Sequence, residues 1–69
     1  MSEKKNLNRI KVVLAERNRT SKWLGEQINK DASTVSKWVT NTCQPPLEVL
    51  IKIAKALDVT IDELVRPLE

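Results

Sequence analysis

Apolar residues in this chain recur at intervals of three and four within short blocks, and each block is bounded by residues suited to starting or stopping a helix. Leu7, Ile10, Val13 and Leu14 make the first block, with Arg9, Lys11, Glu16 and Arg17 mostly off that face. Asn6 is placed to cap it, and Asn18-Arg19 to end it. Thr20 then caps a second block from Ser21 to Ile28, where Leu24 and Ile28 lie four apart. Asn29-Lys30 interrupts the pattern, and Asp31 caps a third helix from about Ala32 to Thr40.

Asn41-Thr42-Cys43-Gln44-Pro45 reads as a loop, since Asn tolerates the left-handed backbone that a helix end often needs. Pro46 fits the first turn of a fourth helix. Leu50, Ile51, Ile53, Ala54 and Leu57 are its apolar set. Asp58-Val59 forms a tight turn. Thr60-Ile61-Asp62-Glu63 is a capping box that opens a short fifth helix with Leu64 and Val65, and Arg66-Pro67 stops it. No stretch sustains the period-two alternation of a strand. The expectation is one all-α domain over residues 1–69, with five short helices and its core in residues 7–65.

Composition narrows the function classes. The 69 residues include one cysteine and no histidine. An internal disulfide is therefore excluded, and the commonest general base and metal ligand are absent. With no phosphate loop and no metal-ligand cluster either, no enzyme, metal or cofactor is expected. No apolar block is long enough to span a bilayer, so a cytoplasmic protein without membrane contact is expected. Charge is unevenly spread. Residues 1–42 carry nine Lys/Arg against four Asp/Glu (net +5), and residues 43–69 carry three against five (net −2). A basic N-terminal half suits a polyanion, although charged runs also serve simply as solvated faces.

Two features do not fit a generic helical bundle. Gly25, the single glycine, falls inside the second helix, where it costs about 1 kcal/mol relative to alanine. Its placement suggests a neighbouring helix so close that a side chain would clash, the alternative being drift at an exposed site. The third helix has poor intrinsic propensity, being rich in Ser, Thr and Val. Advancing 100° per residue from Val35 puts Trp38 and Val39 on the core side. Ser33, Ser36, Lys37 and Thr40 face the opposite way, and Thr34 lies on the flank. Short hydroxyl side chains let a helix backbone sit close to another surface, as entry into a DNA major groove demands.

A helix, a short turn, a second helix and a small residue in the first make up a helix-turn-helix layout. Residues 7–65 resemble the Cro/phage-repressor (XRE) class of helix-turn-helix DNA-binding domains. Three stretches carry the resemblance: Thr20-Ser21-Lys22-Trp23-Leu24-Gly25-Glu26-Gln27-Ile28, then Ser33-Thr34-Val35-Ser36-Lys37-Trp38, then residues 45–59 from Pro45-Pro46-Leu47 to Leu57-Asp58-Val59. There are departures. Asn29 and Asn41 stand where the family usually has glycine. Leu14 and Val39 stand where many members pair a basic with an acidic residue, so an apolar contact is expected in place of that ion pair.

The resemblance implies a compact five-helix, lambda-repressor-like bundle acting as a sequence-specific transcriptional regulator. Its partner would be double-stranded DNA, bound as a homodimer on palindromic half-sites. It assigns Ala32, Ser33, Thr34 and Lys37 to base edges. Lysine can donate to guanine O6/N7, whereas serine can bond almost any base; for Lys37 a phosphate contact or a free solvated side chain is the alternative. Phosphate contact falls to Ser21, Lys22, Ser36, Thr40, Asn41 and Thr42. Trp38 is assigned to the core. Trp23 is left between core edge, phosphate neighbour and partner contact, and Cys43 has no expected role. Ile61, Leu64, Val65 and Leu68 are either a dimer surface or the closure of the core. An antitoxin-like protein with a second, protein partner, or a helical protein-interaction module without DNA, are the alternative functions.

Overall fold

The first apolar block becomes helix only from its second member. In the computed structural model, which describes residues 7–65, α1 runs Ile10–Glu16, followed by α2 (Ser21–Ile28), α3 (Ala32–Val39), α4 (Leu47–Leu57) and α5 (Ile61–Leu64). The expected start at Leu7 is therefore corrected, and the expected cap Asn6 lies outside the described residues. Arg9 occupies the N-cap of α1 without a side-chain cap bond. The Ile10 N–H is met instead by Asn8 Oδ1 at 3.1 Å. Residues 7–9 are withheld from the helix because Asn8 forms an isolated antiparallel bridge with Val65, and the Arg9 N–H donates to the Leu64 carbonyl at 2.7 Å. No strand beyond this bridge occurs among the described residues.

The other boundaries follow local chemistry. Thr20 Oγ1 accepts from the Trp23 N–H, Asp31 from the Thr34 N–H, and Thr60 with Glu63 completes the expected capping box. The helices stop where short polar side chains adopt left-handed backbone: Asn18, Asn29, Asn41 and Asp58 all have φ between 57° and 61°. Pro46 sits at the N-cap of α4, in extended conformation, one position before the helical turn expected for it.

The core joins Ile10, Val13 and Leu14 of α1, Leu24 and Ile28 of α2, Val35 and Trp38 of α3, Val49, Ile53, Ala54 and Leu57 of α4, and Leu64 of α5. On α4 the pattern is turned from the expected one: Val49 is buried, whereas Ile51 is 42% exposed. Leu64 is fully buried, so it closes the core and is removed from the expected dimer surface. Ile61 and Val65 are half-buried, and Leu68 lies outside the described residues. Leu14 is buried and Val39 packs against the same apolar cluster, in keeping with an apolar contact where relatives carry an ion pair.

Candidate nucleic-acid interface

Three residues, Asn29, Lys30 and Asp31, turn α2 into α3. The turn is wound tightly over Gly25. Both the Asn29 and Lys30 N–H groups donate to the Gly25 carbonyl, the latter at 2.9 Å. A Cβ on Gly25 would meet the Lys30 carbonyl oxygen at 2.8 Å and Val35 Cγ2 at 3.4 Å. The close neighbour anticipated at this glycine is therefore chiefly the backbone of the turn, with α3 itself at tight van der Waals distance. That approach fixes how α3 leaves α2.

The first turn of α3 is organised by Asp31. Its carboxylate accepts the Ser33 Oγ–H at 2.5 Å, the Thr34 Oγ1–H at 2.6 Å and, more weakly, the Thr34 N–H at 3.4 Å. The Ser33 hydroxyl, then that of Thr34, draw the Asp31 pKa from 3.8 to about 2. The carboxylate is thus charged at neutral pH, and both hydroxyl protons are committed to it. Of the residues expected at base edges, Ala32, Ser33 and Lys37 are exposed and Thr34 is half-buried. The freedom of Ser33 to bond any base is narrowed in this structure, since its lone pairs rather than its proton are available.

The inner side of α3 is apolar, as the angular sorting requires: Val35 is fully buried, Trp38 is 6% exposed, and Val39 packs half-buried on the core. Ser36, Lys37 and Thr40 are exposed on the outer side. Thr40 Oγ1 donates to the Ser36 carbonyl at 2.9 Å and lies 2.8 Å from Thr42 Oγ1. Ser21 is half-buried and Lys22 exposed in the first turn of α2. Their N–H groups lie outside the helical ladder, where the positive end of the helix dipole favours an anion. Lys22, Lys30, Asp31 and Ala32 line one open hollow between the two helices.

Trp23 resolves as a core-edge residue: it packs against the core cluster while the Arg19 guanidinium sits 4.6 Å from its ring centroid. Such a contact contributes about 0.5–1 kcal/mol at an exposed site. Cys43 is exposed and free.

Asn41 has a different surrounding from the one expected. It is half-buried, and its side chain turns inward. Asn41 Oδ1 accepts the Asn8 N–H at 3.0 Å and Gln44 Nε2–H at 3.1 Å, while Asn41 Nδ2 donates to the Asn8 carbonyl at 3.2 Å. Asn8 Nδ2 donates to the Trp38 carbonyl at 2.9 Å and to Gln44 Oε1 at 2.7 Å. Sequence reading missed both Asn8 and Gln44. The bonds from Asn8 to Trp38, Asn41 and Gln44 span 30 to 36 positions, so no local spacing signals them, although Gln44 also bonds Asn41 three positions away.

A family model described as "Cro/C1-type HTH DNA-binding domain" matches residues 9–67. The chain belongs to this family of DNA-binding domains, with α2 and α3 as its helix-turn-helix. It is also similar to a protein from Bacteroides fragilis whose crystal structure is described as that of a "putative DNA-binding protein". The two are 50% identical, with a TM-score of 0.84 over 87% of this chain and 97% of that one. The comparison with curated proteins yields no significant match. Among the described residues, no helix is long and apolar enough to cross a membrane, and no group of three or more His, Cys, Asp or Glu could hold a metal ion.

Proposed function

We propose that this domain is a sequence-specific transcriptional regulator that binds an operator as a homodimer, with α3 in the major groove and palindromic half-sites about one helical turn apart. It acts by binding, without catalysis. The observation that supports this reading most is the division of α3. Val35 and Trp38 are spent on the core, and the opposite face carries only short polar groups around one lysine. That face lets the backbone approach base edges closely, with Ala32, Ser33, Thr34 and Lys37 as its readers. Ser21, Lys22, Ser36, Thr40 and Thr42 fix the register on phosphates. Asn41 contributes through the loop it holds.

Selection of bound sites from a random duplex library tests the reading. Enrichment of a palindromic consensus is the expected result, and it reports dimeric binding at the same time. A library that stays unenriched would sink the DNA reading and leave a helical protein-interaction module in its place.

A further inference from the structure

Asn8 is 3% exposed, so its side chain cannot itself reach a nucleic acid. Its hydrogen bonds nevertheless converge on the end of α3 and the loop behind it. We propose that Asn8, through Asn41 and Gln44, is the positioning residue for residues 40–44. In this role it holds the Thr40–Thr42 hydroxyl pair where a phosphate must be met. The inference rests on the DNA-binding reading above and concerns how one edge of that surface is kept in place.

The last carbonyls of any helix lack intrahelical partners, and an end left so tends to fray. Here each is taken. The Ser36 carbonyl receives Thr40, the Lys37 carbonyl receives the N–H groups of Thr42 and Cys43 at 2.8 and 3.2 Å, and the Trp38 carbonyl receives the Asn41 N–H. Asn8 Nδ2 then adds a second donor to Trp38 and grips Gln44. The backbone N–H and carbonyl of Asn8 clasp both ends of the Asn41 amide, a two-point contact that fixes the plane of that side chain. The Asn41 backbone is left-handed at this contact, at φ 61°.

Asn8 is in turn anchored elsewhere: Oδ1 accepts from the Ile10 N–H of α1, and the backbone pairs with Val65. The loop is thus referenced to α1 and to the far end of the described chain, not to α3 alone. The network centres on buried Asn8 and reaches half-buried Asn41 and exposed Gln44, and among the described residues no buried side-chain N or O lacks a partner. Removing one member releases the rest.

The test uses the full chain and its selected operator, at a temperature where circular dichroism shows every variant folded. Asn8→Ala is expected to weaken operator binding by about tenfold, on the scale of one or two neutral hydrogen bonds. The rank order of base preferences and the salt slope stay unchanged, because no cation is lost. Asn41→Gly keeps the left-handed turn, which glycine adopts freely, and deletes the clasp; it should fold and show a similar loss even where Asn8→Ala does not fold. Because both act through one network, the double variant should bind no more weakly than the weaker single variant. Folded single variants that bind within twofold of wild type would overturn the positioning role, as would losses that simply multiply. Absence of binding by the wild type would instead mark failure of the DNA reading itself, before any substitution is made.

Discussion

Asp31 sets the chemistry at the entrance of α3 through two hydroxyls donated by its near neighbours. Because folding lowers its pKa from 3.8 to about 2, its contribution to stability is complete above about pH 4. That contribution drains away as the pH falls toward 2. An NMR titration of the Asp31 carboxyl should give a midpoint near 2, and Asp31→Asn should flatten the acid limb of stability against pH. A midpoint near 3.8 would mean that Ser33 and Thr34 do not hold the carboxylate in solution. Gly25 poses a contest of two local effects. Alanine would gain about 1 kcal/mol of helix propensity. Its Cβ, however, would lie 2.8 Å from a backbone oxygen that has little room to yield. The clash should win: Gly25→Ala is expected to destabilise by about 1–2 kcal/mol net. A lowered urea midpoint would register this, and a raised one would show that the turn can shift.

At the scale of elements, the two helices of the motif divide the labour, and their substitutions should part company. Lys37 projects from the outer face of α3 and Ser21 from the first turn of α2. Lys37→Ala should cost about 1–3 kcal/mol on the best site and relax base preference at one position. Ser21→Ala should weaken all sequences alike. Competition binding against a panel of single-base operator variants separates the two patterns; a uniform loss for Lys37→Ala would move that lysine to phosphate. The low intrinsic propensity of α3 is tolerable because Val35 and Trp38, both buried, tie it to the core. Most helical stability in folded proteins comes from such packing.

For the whole molecule, charge and topology act together. The net +5 of residues 1–42 includes Lys22, Lys30 and Lys37 on or beside the helix-turn-helix, while residues 43–69 carry net −2. Binding to random duplex DNA should therefore be measurable at low salt and fall steeply as salt rises. Each neutralised phosphate contributes about −0.9 to the slope of log K against log salt. Fluorescence anisotropy across a salt series reads this directly, and a flat response would argue against an electrostatic DNA surface. The two ends of the described stretch meet beside α3, since Asn8 joins the end of α3 to Val65.

Much of this architecture is legible in the sequence because it depends on neighbours within four residues. The caps Thr20, Asp31 and Thr60, the helix stops at Asn18, Asn29, Asn41 and Asp58, and the two faces of α3 are all of this kind. Local hydrogen bonds and the 3.6-residue period decide them wherever the rest of the chain lies. Only the tertiary structure decided where α1 begins, because Asn8 is drawn out of the helix by Val65 and Asn41. It also decided that Val49 rather than Ile51 turns inward, and that the backbone of the turn stands nearer to Gly25 than α3 does. The Asn8–Asn41–Gln44 network belongs to this second group. The bonds of Asn8 to Asn41 and Gln44 join residues 33 and 36 positions apart, and such partners are chosen by packing geometry rather than by any pattern along the chain.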